Sequence, residues 1–316
     1  MSLKPIGLGW GLNLTTGWGV CGISLAQQFL QQGVWNPIPL LIPLLEDLPV
    51  LHQHFLYVLS ENYQKLNNLF IENPGKGLHF EFPVIYGIGN YLNPCADIHH
   101  IKSSHSFGLT FFENATLSGE DLKKAQNYQL FLAGSTWNAN ILKKHGLHHI
   151  YPLFQGIDPT FFHLAPKSGL FKDRFVIFSG GKLEYRKGQD LVIEAFKAFQ
   201  RRHSEALLIT LWHNFWSQSI QTLLHSRYTQ GLPEVSDSSL NVERWLWENG
   251  LPWGSFLTLA PISHFQIPSV LWETDVALFP NRCEGGTNLM AMEALACGLP
   301  TILSANTGHL DLIDET

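Results

Sequence analysis

Two short stretches in the second half of the chain place charged side chains beside glycines. The first, 179–188, reads SGGKLEYRKG, follows an apolar run, and sets Lys182 and Lys187 five positions apart. Cations on a glycine-flexed loop after a buried strand can neutralise a diphosphate. A single lysine is more commonly solvated surface, but three glycines flank this pair. The stretch therefore predicts an anion site that includes Gly181, Lys182 and Lys187.

The second stretch, 281–298, reads NRCEGGTNLMAMEALACG and predicts a loop followed by a helix. Thr287 or Asn288 would cap this helix. A helix N-terminus offers free backbone N–H groups and the positive end of the helix dipole, which suits a phosphate. Glu284 in the loop and Glu293 in the helix can accept hydrogen bonds from sugar hydroxyls. Each glutamate alone is equally well explained as a solvent-facing acid near the dipole.

The elements that must position these residues begin near the N-terminus. Apolar residues alternate along 6–12 with the period of a strand, and a glycine-bearing turn, TTGWGVCG, follows at 15–22. Helical spacing then continues to Gly33, which suits a C-terminal stop. Strand, glycine turn and helix open a Rossmann-like unit, although the turn lacks the G-x-G-x-x-G order. Its alternative interpretation is a tight turn that needs small residues.

The same alternation continues along the chain and predicts two successive, mostly parallel β/α domains, 1–155 and 156–316. Further strands are predicted at 82–89, 108–112, 174–179, 206–212, 256–260, 276–279 and 300–303, helices at 138–145, 191–199 and 242–249, and a loop at 233–241. Ligands of such sheets bind at the carboxyl ends of the strands, so a cleft between the domains is the expected site.

Composition bounds the function. Of the 316 residues, 45% are apolar and 15% charged, and the net charge of −6 argues against a nucleic-acid partner. The four cysteines are scattered without a metal-binding pair, so reduced thiols and no metal site are expected. An apolar window at 37–45 holds three prolines and is too short to span a membrane. A soluble cytoplasmic protein is expected.

Three segments resemble a known family. GGKLEYRKGQDLVIEAF, EGGTNLMAMEALACGLPTI and QGIDPTFF are similar to motifs of the family 4 glycosyltransferases (glycosyl transferases group 1), which have the GT-B fold. The similarity covers about the last half of the chain; over 1–150 it depends on the glycine turn and the β/α alternation. It implies a retaining, metal-independent hexosyltransferase without a cofactor, which uses a UDP- or GDP-linked sugar and a glycan, lipid or other hydroxyl acceptor. Peripheral membrane contact is not visible in the sequence.

The resemblance also assigns site residues. Lys187 matches the lysine that holds the donor diphosphate, and Lys182 stands where the family has arginine, so charge is kept without bidentate geometry. Glu293 matches the glutamate that binds the ribose. Glu284 matches the glutamate at the donor sugar, but it lies nine residues before Glu293 instead of eight, so it can serve only if the loop bulges. The remaining donor contacts implied by the resemblance are Gly17, Gly19, Gly181, Gly286, Thr287, Asn288 and Leu289.

An acceptor-side residue is expected from the first domain. His105, Glu113 and Asn90 are predicted to follow strands there and are the candidates, although packing or capping explains His105 better. The segment 212–214, WHN, ends a second-domain strand and could line the nucleotide or simply pack.

The end of the chain leaves alternatives open. GHLDLIDET at 308–316 resembles a family segment that further elements normally follow, so a member truncated in its second domain is expected. A nucleotide-sugar epimerase of the GT-B type, or a catalytically silent module that binds nucleotide or glycan, would also fit these motifs.

Overall fold

A computed structural model describes residues 3–73, 76–214, 217–236 and 239–314. The chain forms two compact units, Met1–Gly156 with Ser263–Phe265 and Ile157–Ile262 with Gln266–Thr316. A parallel β-sheet forms the centre of each unit. The roles that the sequence analysis gives to 1–155 and 156–316 stay predictions.

The first unit contains a sheet of six strands in the order β2-β1-β3-β4-β5-β6, in which neighbouring strands run parallel. Its elements are β1 (Lys4–Gly9), α1 (Gly17–Gln32), β2 (Trp35–Pro39), α2 (Val50–Glu72), β3 (Leu78–Ile88), β4 (Ile101–Thr110), α3 (Gly119–Ala125), β5 (Leu130–Ala133), α4 (Thr136–Lys144) and β6 (Ile150–Pro152). The chain steps from β1 to β2 on one side and returns to β3 on the other. The strand order therefore reverses at β1, where such sheets bind ligands.

The predicted turn at 15–22 is wrong for most of its length, because α1 begins at Gly17. Thr16 is the N-cap, and its hydroxyl accepts a hydrogen bond from the backbone N–H of Gly19 at 3.0 Å. This cap supplies the partner that the first turn of a helix lacks. The predicted stop is confirmed: Gly33 has a left-handed backbone with φ of 65°.

Five elements of the first unit were not predicted from the sequence: β2, α2, α3, β5 and β6. Two of them, β2 and α2, show why. Strand β2 contains Pro37 and Pro39, which argue against a strand, but it lies at the edge of the sheet, where a missing N–H is tolerated. Helix α2 leaves Val50 and Leu51 largely exposed, so its apolar residues do not fall on one face. In both cases local pattern was a poor guide to the structure.

The second unit has a parallel sheet in the order β11-β8-β7-β12-β13 and a separate antiparallel pair, β9 and β10. Its elements are β7 (Phe175–Gly181), α5 (Gln189–Gln200), β8 (Ala206–Trp212), β9 (Glu234–Ser236), β10 (Ser239–Asn241), α6 (Val242–Glu248), β11 (Phe256–Thr258), α7 (Ile267–Leu271), β12 (Val276–Phe279), α8 (Leu289–Ala296) and β13 (Thr301–Leu303). The loop predicted at 233–241 is therefore wrong for β9 and β10. This two-stranded ribbon carries few apolar residues, and Val235 is exposed.

Strand β7 lies at the centre of the second sheet and decides which loops meet. Strands β8 and β11 follow on one side of it, and β12 and β13 lie on the other. The order thus reverses between β7 and β12, which are direct parallel neighbours. Because parallel strands end at the same edge, the loops after β7 and β12 leave the sheet side by side.

Within the described ranges, no helix combines the length and the apolar character needed to cross a membrane. The four cysteines, Cys21, Cys95, Cys283 and Cys297, are free thiols.

The turn after β7 closes at Gly188, and this position tests the packing of the two loops. Its backbone is left-handed, with φ of 74°, and a Cβ here would overlap the carbonyl oxygen of Pro280 in the loop after β12. Gly146 has a similar φ of 83° but open space around it. We expect Gly188→Ala to lower the free energy of unfolding by roughly 3 kcal/mol and Gly146→Ala by roughly 1 kcal/mol, since only the first adds a clash to the backbone strain. Urea denaturation of both variants measures the difference, and equal losses would contradict the close approach.

Candidate functional site

The two charged stretches of the sequence meet through Lys187 and Glu284. The Lys187 ammonium forms an ion pair with one carboxylate oxygen of Glu284, and Nη1 of Arg186 lies 3.5 Å from the other. The side-chain amide of Asn281 also donates to Glu284. Only 14% of the Lys187 side chain and 6% of the Glu284 side chain are exposed. Residues 97 positions apart thus form one buried charge cluster at the carboxyl ends of β7 and β12.

The surroundings of Glu284 keep its carboxylate ionised. Burial alone would raise the pKa of Glu284, but the charges of Lys187 and Arg186 and the hydrogen bond from Lys187 outweigh that effect. The pKa of Glu284 therefore lies below its ordinary value. A buried charge that loses its partner is strongly destabilised, so an anion that approached Lys187 would have to replace Glu284 there.

The loop of Glu284 ends at Asn288, which directly precedes α8 and has a left-handed backbone, with φ of 63° and ψ of 92°. Asparagine tolerates this region better than most residues. The expectation that a bulge of this loop brings Glu284 to the donor sugar stays a prediction.

The predicted caps of α8 are wrong. Asn288 occupies the N-cap position, but its side chain contacts His309, with 3.0 Å between the amide nitrogen and Nε2. The hydroxyl of Thr287 donates to the sulfur of Met292 at 2.8 Å. The left-handed backbone of Asn288 explains why its side chain does not cap the helix, because a residue whose side chain caps a helix usually has an extended backbone.

His309 is fully buried and supports this loop. Its Nδ1 lies 3.2 Å from the Ser304 carbonyl oxygen, and its Nε2 faces the Asn288 amide. Because a carbonyl can only accept and an amide NH₂ only donate, we assign the proton to Nδ1 and the accepting lone pair to Nε2. Burial lowers the pKa of His309 and Lys187 lowers it further, against the opposing effects of Glu284 and the Ser304 backbone. The imidazole is therefore neutral.

The segment before His309 packs directly on the Glu284 loop. The Glu284 backbone N–H donates to the Thr307 hydroxyl at 2.8 Å, and the Gly308 N–H donates to the Glu284 carbonyl at 3.0 Å. A Cβ on Gly308 would overlap the carbonyl oxygen of Gly286, so only glycine allows this approach. The sequence analysis missed His309. Its signal was the glycine before it, in a segment whose resemblance to the family had been noticed.

Two amide side chains form hydrogen bonds with the backbone of the loop that carries Lys182. Gln189 donates to the Lys182 carbonyl, and Asn214 both accepts from and donates to the Leu183 backbone, at 2.6 and 2.9 Å. Lys182 directly follows Gly181, the last residue of β7, as predicted for a site at a strand end. Asn214, the last residue of the segment 212–214, thus positions this loop.

The first residue of that segment, Trp212, belongs to the core. It is buried, and its indole N–H donates to the hydroxyl of Ser179 at 3.2 Å. Between the two interpretations left open for Trp212, the structure supports packing.

Glu293 lies inside α8 and is only 1% exposed. Its charge acts on the neighbouring turn: burial, and then Glu293, raises the pKa of Cys297 to about 11. The assignment of Glu293 to a ribose, like those of Gly286 and Leu289 at the start of the helix, stays a prediction.

The two predicted glycines of the first unit lie in the first turn of α1. Gly17 is exposed, and a Cβ there would have open space. Gly19 is buried, and a Cβ would overlap the side chain and carbonyl of Asn13. The need for glycine at position 19 thus has an explanation within the fold. A ligand role for either residue stays a prediction.

The acceptor candidates divide into a pair and an outlier. The Asn90 amide donates to the Glu113 carboxylate at 2.8 Å, and the Glu113 backbone N–H donates to the Asn90 side-chain oxygen at 2.7 Å. The two residues follow β3 and β4, as predicted. His105 does not follow a strand: it lies inside β4, which continues to Thr110, and its exposed ring faces Ser104 at 3.0 Å. The prediction missed the first half of β4 because that half is mostly polar and has no apolar pattern.

Among the residues that the structure describes, no group of three or more His, Cys, Asp or Glu side chains is placed to hold a metal ion. Metal independence of the reaction stays a prediction.

The fold and this site define a class of protein. Two units, each built on a parallel sheet with helices, are the arrangement of GT-B proteins. Solved structures share this fold over nearly the whole chain. HepE from Anabaena, solved with UDP-glucose, is 13% identical and has a TM-score of 0.62, and the match covers 99% of this chain and 84% of that one.

Two further structures agree. Sucrose-phosphate synthase from Thermosynechococcus elongatus is 14% identical over 98% of this chain and 84% of that one, with a TM-score of 0.66. A trehalose-6-phosphate protein from E. coli, bound with UDP-2-fluoro glucose, is 14% identical over 98% of this chain and 86% of that one, with a TM-score of 0.59. The predicted α/β class and GT-B fold are therefore confirmed. No protein-family model and no curated protein matches the sequence.

The neutral state of His309 gives a pH-dependent prediction. Its folded-state pKa is lowered, so as pH falls through the ordinary histidine pKa of about 6.5 the unfolded chain takes up a proton that the folded chain refuses. Stability contributed by neutral His309 is present above that pH and lost below it. We expect His309→Gln to reduce the slope of unfolding free energy against pH, between pH 7.5 and 5.5, by up to about 1.4 kcal/mol per pH unit. Urea denaturation across that range measures the slope. An unchanged slope would contradict the assignment, and exposed His105→Gln is the control.

Proposed function

We propose that this protein is a family 4 glycosyltransferase that moves a hexose from a nucleoside diphosphate sugar to a hydroxyl acceptor. One observation carries the proposal: the loops after β7 and β12 bring Lys187 and Glu284 into direct contact beside the N-terminus of α8. The contact between these two motif residues supports a donor site at this edge of the second sheet. UDP is the first nucleotide to test, because HepE and the E. coli protein were solved with UDP sugars.

The charge cluster suits a sugar diphosphate better than either loop would alone. A diphosphate would take the Lys187 ammonium, which now contacts a carboxylate of the chain itself. Glu284, once displaced, would accept hydrogen bonds from hydroxyls of the donor sugar. Backbone N–H groups at Gly286, Thr287, Asn288 and Leu289 lie where the dipole of α8 favours negative charge.

Two residues complete the proposed donor site. Lys182 follows β7 on the same edge and would add a second cation for the phosphates. Glu293, inside α8, would hold the ribose.

The proposed chemistry relies on electrostatics. The bond between the anomeric carbon and the diphosphate oxygen breaks, a bond to the acceptor oxygen forms, and the acceptor hydroxyl loses its proton. Lys182 and Lys187 would stabilise the negative charge that develops on the leaving diphosphate. Retention of configuration and metal independence belong to the proposal, and the identity of the hexose is left to experiment.

The acceptor would be bound by the first unit. The hydrogen-bonded Asn90 and Glu113 lie after β3 and β4, and the backbone of Tyr91, the residue after Asn90, is left-handed with φ of 57°. Strained backbone at an exposed tyrosine is typical of a functional loop. Glu113 is the proposed recipient of the acceptor proton. His105 is not proposed for this role, because it lies inside a strand.

Nucleotide binding tests the phosphate assignment. We expect Lys187→Ala to weaken UDP binding about tenfold or more, because the site loses the cation that faces the phosphates. Lys197→Ala is the matched control, since Lys197 pairs with Glu194 on the side of α5, and its UDP affinity should equal that of the parent. Isothermal titration calorimetry gives both values. Equal binding by Lys187→Ala and the parent would reject the assignment.

Glu284 gives a prediction of opposite sign. Glu284→Gln should tighten UDP binding several-fold, because the neutral amide no longer competes with the diphosphate for Lys187. The same variant should lower sugar transfer by roughly 10² or more, because the contact to the donor sugar is weakened. Product formation from a panel of UDP and GDP sugars measures transfer, with Glu194→Gln as control. Looser UDP binding by Glu284→Gln would contradict the competition. Nucleotide binding by the parent without transfer or hydrolysis of any donor would instead favour a silent binding module.

A further inference from the structure

A further cation, Arg282, lies in the same loop as Glu284, two residues before it. Its guanidinium makes a bidentate pair with Asp190, with both N–O distances at 2.8 Å. The Asp190 side chain is completely buried and also accepts from the Ser226 hydroxyl at 2.7 Å. Burial raises the pKa of Asp190, but the hydrogen bonds from Arg282 and Ser226 and the charge of Arg282 more than offset it. The charge of Arg282 is therefore already matched within the protein.

The same guanidinium also contacts Tyr185, which precedes Lys187 in the turn. Nη1 of Arg282 donates to the Tyr185 carbonyl oxygen at 2.7 Å, and Cζ of Arg282 lies 3.9 Å from the centre of the Tyr185 ring. Tyr185 lies two residues before Lys187, and Asp190 lies three residues after it. One side chain therefore fixes the short turn on both sides of the lysine. The planar fork of arginine suits this task, and lysine would offer a single point of charge.

Arg282 also lies two residues before Glu284 in the loop after β12. Its backbone N–H donates to the Arg186 carbonyl at 2.7 Å, which joins the two loops directly. The position of Lys187 relative to Glu284 thus depends on a residue whose side chain pairs with Asp190 and Tyr185. The sequence does not predict the role of Arg282, because its partner, Asp190, lies 92 positions away.

We propose that Arg282 is a positioning residue: through Asp190 and Tyr185 it sets the place of the Lys187 ammonium in the anion site, without contacting the ligand. The inference depends on the proposed function, since it takes the ligand of Lys187 to be a nucleoside diphosphate. It goes beyond that function by naming a residue that tunes affinity through another residue.

A double-mutant cycle tests the proposal, because a residue that acts through Lys187 has nothing left to act on once that lysine is gone. The probe is UDP, and calorimetry gives its affinity for the full chain. Arg282→Met should weaken UDP binding about tenfold, and Arg282→Lys by less, since a charge stays near Asp190. In a chain that already carries Lys187→Ala, adding either Arg282 substitution should change the affinity less than twofold.

Arg244 provides the matched control. It makes ion pairs with Glu234 and Glu248 in the same unit, but 59% of its side chain is exposed. Arg244→Met should leave UDP affinity unchanged. Circular dichroism and thermal unfolding confirm that each variant is folded, and if Arg282→Met is not, the cycle is read from Arg282→Lys and Asp190→Asn.

The outcomes separate the two proposals. If the parent binds neither UDP nor GDP, the proposed function fails. If the parent binds UDP but the effects of Arg282 and Lys187 substitutions multiply, Arg282 does not act through Lys187 and the positioning role is wrong. Parent-like affinity of folded Arg282→Met and Asp190→Asn would overturn it as well.

Discussion

The buried contact between Lys187 and Glu284 is the interaction on which the rest of this site depends. It joins a cation after one strand to an anion after the neighbouring strand, and both are largely removed from water. Two buried charges gain little net stability from pairing, but either one alone would be costly. Under the proposed function the contact is poised for a ligand: the Glu284 carboxylate pairs with Lys187 until a diphosphate replaces it.

The surrounding structure holds the contact from three directions. Arg282 fixes the turn on both sides of Lys187, and the reversal of strand order between β7 and β12 brings the loops together. From the opposite side, Gly308 and His309 support the loop of Glu284 and the left-handed Asn288. Under the proposed function, the ammonium and the carboxylate of the central contact are the groups that an anionic ligand would rearrange.

The sequence predicted the fold well where apolar runs were strong. Strand β8 was placed correctly because its residues are almost all apolar and all buried. Helix α6 was placed within a residue because Val242, Trp245 and Leu246 recur at helical spacing. Strand β2 was missed, since its prolines are allowed only by its edge position, which is a tertiary fact. His105 was placed after a strand because the polar half of β4 has no apolar pattern to reveal it.

The candidate site shows the same division. Motif spacing singled out Lys187 and Glu284 individually, and the order of the strands explains why they meet. The roles of Arg282, Asp190 and His309 could not be read from the sequence, because they depend on partners that are distant along the chain. The caps assigned to Thr287 and Asn288 were wrong since local composition cannot reveal a left-handed backbone stabilised by a histidine 21 positions away.

A crystal structure of the chain with UDP tests the central claim most directly. The account predicts the diphosphate within hydrogen-bonding distance of the Lys187 ammonium, with the Glu284 carboxylate moved away from that lysine. UDP bound elsewhere while the contact between Lys187 and Glu284 stays intact would contradict it.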